Sequence, residues 1–233
     1  MALSSPNFDL IARAYRWLEY LSFGPFLERC RFYYLDELRS CRRALVFGDG
    51  DGRFTARLLA ANSEIKVDAV DSSAAMLRLL TRRVARLGPS ARDRLQTRQM
   101  GALNFDPEGA PYDLVATHFF LDCFSESEVG ALIARIAPHL TTDAVWLVSE
   151  FAIPERPLAG HLSRVVVALL YRSFGVLTGL KVRSLPDYGR LLRQAGFELR
   201  QHEDHLGGML RSEIWARLAD PECMVRRRFA SEK

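Results

Sequence analysis

Ala44-Leu45-Val46-Phe47-Gly48-Asp49-Gly50-Asp51-Gly52-Arg53-Phe54 decides the fold. An apolar run of strand character ends in three glycines spaced two apart, and a helix-period segment (Phe54, Leu58, Leu59) follows at once. Such a strand–turn–helix uses its glycines for positive φ and lets a ligand lie against bare backbone. Downstream, Ile65-Lys66-Val67-Asp68-Ala69-Val70-Asp71 has the pattern of a second buried strand ending in an acid. A carboxylate there suits a ribose, because it can accept hydrogen bonds from two vicinal hydroxyls. The expectation is a nucleotide-like ligand.

The aspartates inside the turn choose among such ligands. A fixed carboxylate about 5 Å from a pyrophosphate would repel it by roughly 3 kcal/mol at an effective dielectric of 20. S-adenosylmethionine brings an ammonium and a sulfonium instead. The spacing is also Gly-x-Gly-x-Gly, whereas the dinucleotide fingerprint is Gly-x-Gly-x-x-Gly. The loop therefore favours S-adenosylmethionine, with Gly48, Asp49, Gly50 and Gly52 around it and Asp71 on the ribose.

Strand and helix patterns alternate from there. Ser72 is placed to cap a helix running to about Leu87, ended by Gly88-Pro89. Arg94–Met100, Pro111–His118 and Ala144–Phe151 have strand character, and Ser125–Ala137 is an amphipathic helix with Ser125 and Glu128 in capping-box positions. Phe197–His205 and Met209–Leu218, joined at Gly207-Gly208, suit a β-hairpin. The fold expected is α/β: a doubly wound, mostly parallel seven-stranded sheet with a reversed last strand, an N-terminal helical extension and a helical insertion after the fifth strand. The expected divisions are 1–42 (helical lid), 43–152 (cofactor-binding half), 153–196 (substrate-lid insertion), 197–220 (hairpin of the same sheet) and 221–233 (basic tail).

This layout resembles the class I S-adenosylmethionine-dependent methyltransferases from about Ala44 to Leu218. That family usually carries an acid two residues before the first glycine, where this chain has Val46, leaving Asp49 to substitute. The resemblance implies that Met76 lies beside the adenosine. It also puts Gly101 where an adenine-binding acid often stands, so that contact passes to the backbone of Ala102 and Leu103. The opening residues Phe8-Asp9, Ile11-Ala12, Tyr15 and Ser22-Phe23-Gly24 are similar to ubiquinone/menaquinone C-methyltransferases. So are Glu150-Phe151, Pro154, Leu185-Pro186, Tyr188 and Leu191–Phe197. This implies a lid over the cofactor, with Tyr15 near the methionine carboxylate, and a second lid over a lipophilic, ring-bearing substrate.

The fourth strand leaves at Thr117-His118 into Phe119-Phe120-Leu121-Asp122-Cys123-Phe124, an unusually apolar connection for one that should cross surface. At the carboxyl edge it would line a pocket, with Thr117 near the cofactor and His118 the candidate base, since an imidazole can take a proton near neutral pH. Asp122 could cap the next helix or face the cofactor. The almost wholly apolar Leu162–Phe174 is a substrate lid or, in a rival reading, a homodimer interface.

Composition sets the outer bounds. The 233 residues carry a net charge of +4 and 48% apolar side chains, enough for one core. Basic residues are dispersed apart from Arg226-Arg227-Arg228, which argues against a nucleic-acid partner. Cys30, Cys41, Cys123 and Cys223 have no metal-ligand spacing. The longest apolar run, Val165–Tyr171, falls far short of the roughly 20 residues that span a bilayer, which leaves at most peripheral membrane contact. With no signal-peptide pattern at the start, the expected location is cytoplasmic. The expected function is methyl transfer from S-adenosylmethionine to oxygen or carbon of an apolar small molecule. Alternatives are a nicotinamide-dependent oxidoreductase and a non-catalytic methyltransferase-like binding protein.

Overall fold

Ala44, Leu45, Val46 and Phe47 are all buried, which makes β1 (Arg43–Phe47) a central strand covered on both faces. It pairs in parallel with β2 (Lys66–Asp71) on one side and β4 (Tyr112–His118) on the other. The computed structural model describes residues 25–152 and 185–218. With β3 (Leu95–Gln99), β5 (Leu140–Phe151), β6 (Phe197–His205) and β7 (Leu210–Arg217), these strands form a seven-stranded sheet in the order β3-β2-β1-β4-β5-β7-β6. β7 runs antiparallel to both β5 and β6. The reversed last strand is as expected.

One face of the sheet (Ala44, Val46, Val67, Ala69, Leu114, Ala116) packs on α2 (Arg53–Ala61) and α3 (Ala74–Ala85) through Phe54, Leu58, Leu80 and Val84. The other (Leu45, Phe47, Val115, Trp146, Val148) packs on α5 (Glu126–Ile136) and α6 (Tyr188–Gln194) through Val129, Leu132, Ile136 and Leu192. α1 (Phe26–Phe32), the first described helix, lies along β7, with Leu27 and Cys30 against Leu210.

Several local expectations need correction. Ser73, not Ser72, caps α3, its hydroxyl accepting the Met76 amide; Ser72 stays exposed. Gly88-Pro89 ends no more than a turn before a further short helix, α4 (Pro89–Asp93), because proline suits a first helical turn. β5 starts at Leu140 rather than Ala144, with a register shift against β4 between Leu140 and Val145. Phe26 is exposed rather than inward-facing. At α5 the Ser125–Glu128 capping box is present as read. The first helix with Tyr15, the apolar stretch Leu162–Phe174 and the basic tail lie outside the described residues. Among the described residues no helix is long and apolar enough to cross a membrane.

Candidate active site

The strand order reverses direction at β1 and β4, so their carboxyl ends open a crevice at the topological switch point of the sheet. The glycine loop forms one bank. Gly48, Gly50 and Gly52 have φ of 60°, 60° and 80°. The Gly48 amide donates to the Val70 carbonyl at 3.0 Å and so ties the loop to β2. A Cβ on Gly48 would lie 2.3 Å from Phe120 Cδ2, and one on Gly52 2.6 Å from the Leu80 backbone. The first glycine thus admits an aromatic ring from the far bank, and the third lets α2 and α3 approach closely.

The loop aspartates are not the bare negative charges that the sequence suggested. Asp49 is buried and caps α2, accepting from the amides of Phe54 (3.2 Å) and Thr55 (2.8 Å). Burial raises its pKa, against the pull of Arg31 and those amides. Asp51 is ion-paired with Arg53 (2.9 Å) and Arg83, and Arg53 reaches on to Glu28 of α1 (2.9 Å). A negative loop that rejects pyrophosphate is therefore corrected to one neutralised from within. Discrimination falls to the fold and to backbone geometry.

Asp71 ends β2 beside the crevice, half-buried, with Oδ1 accepting the Ser73 amide at 2.8 Å. Met76 is buried on the first turn of α3. Across from it, Ala102 and Leu103 form a single 3-10 turn after β3, Ala102 buried and Leu103 partly so. Thr117 is fully buried, and its hydroxyl accepts from Trp146 Nε1 at 3.2 Å, which commits it to the core and not to the crevice.

His118 is also buried, its ring 4.3 Å from that of Phe54 on the α2 side. It belongs to a polar row running across the sheet. His118 Nδ1 lies 2.9 Å from Ser149 Oγ, and both Ser149 (3.4 Å) and Ser212 (2.6 Å) donate to the Cys30 carbonyl of α1. His205 Nε2 lies 2.9 Å from Ser212 Oγ. Since each serine spends its proton on Cys30, the network assigns Nδ1–H to His118 and Nε2–H to His205. His118 Nε2 is left without a partner. Burial, helped by the Arg31 charge, holds the His118 pKa well below the ordinary value, so the ring is neutral.

Phe120, expected at the pocket, meets two groups for which the sequence suggested no catalytic or binding role, Arg31 and Glu150, at the same edge. Phe120 covers Gly48 and stacks on Phe47, with ring centroids 5.9 Å apart. Arg31 is buried, its guanidinium 5.7 Å from the Phe119 ring. Glu150, on the face opposite His118, accepts the amides of Phe120 and Leu121 beside Asp122. The one available signal was an acid at a strand end, Glu150, four residues after a fully buried tryptophan.

Residues 45–146 match the family model described as a methyltransferase domain. That stretch is similar to a methyltransferase domain. Among solved structures it is similar to mitomycin 7-O-methyltransferase, at 20% identity and a TM-score of 0.67 over 91% of this chain and 61% of that one. It is similar to an O-methyltransferase family protein from Burkholderia thailandensis, at 16% and 0.68 over 93% and 64%. A third likeness is to an O-methyltransferase family 2 protein from Planctomyces limnophilus, solved in complex with apigenin, at 16% and 0.67 over 89% and 62%. At such identities the likeness is one of fold, and the chain spans about three fifths of the length of these structures. No curated protein matches by sequence. A fold of the kind these structures share accounts for the sheet order, the glycine loop and the acid after β2 together.

Proposed function

We propose that the protein transfers a methyl group from S-adenosylmethionine to an oxygen or carbon of an apolar, ring-bearing small molecule. The observation that carries this is the glycine cradle facing Asp71 across the switch point of a sheet with a reversed β7. The residues fit the cofactor. In this reading Asp71 takes the ribose hydroxyls, the backbone of Gly48 and Gly50 the methionine end, Ser72 and Met76 the adenosine, and Ala102 and Leu103 the adenine. Asp49 acts by fixing the start of α2, and Tyr15 closes the site from the N-terminal segment. When bound, the cofactor supplies a methyl carbon activated by its sulfonium. What the chain supplies is alignment and exclusion of water.

The acceptor side is apolar: Phe119, Phe120 and Phe124 line the loop after β4, with centroids of Phe120 and Phe124 5.0 Å apart. The mitomycin 7-O-methyltransferase and the O-methyltransferase family 2 protein in complex with apigenin support a ring-bearing acceptor. The reading keeps a small molecule as partner rather than nucleic acid, places the protein in the cytoplasm, and gives Leu162–Phe174 to the substrate lid, with a homodimer interface as the rival. Titration calorimetry with S-adenosylhomocysteine tests it. Saturable heat is expected for the wild type and none for Gly50→Arg. No wild-type heat at millimolar ligand, or tighter binding of NADH, overturns it.

A further inference from the structure

Methyl transfer to an O–H or C–H acceptor releases a proton, and His118 is poorly placed to receive it. Its ring faces Phe54, and both burial and the Arg31 charge oppose its protonation. The opposite face of the same edge holds a different group. Glu150 ends the covered part of β5 at 1% exposure. Its Oε1 accepts from Phe120 N (2.9 Å) and Leu121 N (2.7 Å), while Oε2 makes no hydrogen bond. Asp122, itself buried, sits beside it on the turn that begins with Phe120 over Gly48. The turn therefore runs from the cofactor loop to the end of β5, with two carboxyl groups on it and against it.

We propose that the Asp122–Glu150 carboxyl pair takes up the proton that the methyl acceptor gives up. This rests on the methyl-transfer reading and names the group that completes it. Two adjacent buried carboxyls do not ionise together, so the pair holds one proton and one negative charge. Burial, and then the Asp122 charge, push Glu150 well above the usual carboxyl range in spite of the amides that hold it. Of the two, Glu150 is therefore the member whose surroundings favour the protonated form. The proton leaves the acceptor's O–H or C–H bond for the Asp122 carboxylate. That bond's electron pair goes to the transferred methyl carbon, and the carbon–sulfur pair stays on sulfur. The pair, now doubly protonated, returns one proton to water once product has left.

The other titratable groups around Glu150 do not compete. Cys123 on the same turn and Tyr188 on α6 lie near it. Burial raises both, so they stay neutral where the pair exchanges its proton.

Infrared difference spectroscopy and kinetics on the full chain test the proposal together. At neutral pH the cofactor-free wild type should show a protonated-carboxyl C=O band that Glu150→Gln removes. Asp122→Asn should keep its affinity for S-adenosylhomocysteine yet lose about 100-fold in kcat on a phenol acceptor, the lower end of what general-base catalysis contributes. Acceptors already ionised in solution should recover most of that rate. A band unchanged in Glu150→Gln, or wild-type kcat in Asp122→Asn, overturns the proton pair alone. Absence of S-adenosylhomocysteine binding by the wild type overturns the methyl-transfer reading with it.

Discussion

The two faces of the sheet at its carboxyl edge treat buried polar groups in opposite ways. Under α1, His118, Ser149, Ser212 and His205 are neutral and converge through their hydroxyls on one carbonyl, that of Cys30. Against α5 and α6, Glu150 and Asp122 crowd two acids together and leave Glu150 Oε2 without a hydrogen bond. Matched neutral groups give net stability of about 1 kcal/mol per bond, whereas a buried, unmatched carboxyl costs stability and is held there by the rest of the fold. The first arrangement docks α1 on the sheet. The second stores the capacity to exchange a proton. Burial alone did not separate them; matching did.

The largest effect expected is at the loop that serves both faces. Gly52→Ala combines a left-handed φ of 80° with a Cβ 2.6 Å from the Leu80 backbone. Left-handed strain plus overpacking should cost about 3 kcal/mol in urea unfolding. The damage should stay on the α2–α3 side, so the Glu150 carboxyl band should persist in whatever protein folds. Its disappearance would show that the two faces are one unit. Next in size is Ser212→Ala, which strips the Cys30 carbonyl and His205 Nε2–H of a shared partner and should cost about 2 kcal/mol. S-adenosylhomocysteine affinity should stay within about twofold, because about 1.4 kcal/mol would be needed for tenfold. A larger loss would give the row a role in the site.

The faces should also respond to pH with opposite sign. Burial, with Arg29 adding to it, keeps the folded His205 pKa below its ordinary value. As pH falls through about 6.5 the unfolded chain takes up a proton that the fold refuses, so this group lowers stability toward acid. Glu150 is raised instead. As pH climbs above about 4.3 the unfolded carboxyl ionises while the folded one keeps its proton, so this group lowers stability until the folded form ionises too. Urea midpoints of His205→Gln and Glu150→Gln, each taken against wild type across that range, should diverge in opposite directions. Parallel trends would mean that the assigned protonation states are wrong.

How much of this the sequence shows depends on range. The glycine turn, Asp71, the Ser125 cap and the alternation that places seven strands are local patterns, and each appears where its residues put it. What pairs with a side chain is not local. Asp51 meets Arg83 across 32 positions, and Asp49 turns back on α2, so two charges that seem to face a ligand are consumed inside the fold. His118 and Glu150 each lie at the end of a clear strand, but only the register of β4 on β5 puts Ser149 under the imidazole and Glu150 on the far side. Asp68 has the same history. It lies mid-strand, where a charge should not be buried, until Arg43 (3.0 Å) arrives from adjacent β1 and Tyr112 (2.6 Å) from β4 beyond it. Position along a strand is written in the sequence, and partnership across the sheet is not.

The smallest expected effect sharpens that division. Ser125 caps α5 two positions after Cys123 and just beyond the turn that holds Asp122, and its hydroxyl and Glu128 satisfy each other's backbone amides. Ser125→Ala should cost about 1 kcal/mol, as cap removal does, through fraying of the first helical turn. The two amides that hold Glu150 belong to Phe120 and Leu121, upstream of the cap, and Phe124 already bonds back to Leu121 (3.1 Å). The carboxyl band should therefore keep its frequency while the unfolding midpoint drops. If it shifts with the cap, the proton pair is set by where α5 begins as well as by the end of β5, and the turn and the helix must be treated as a single support.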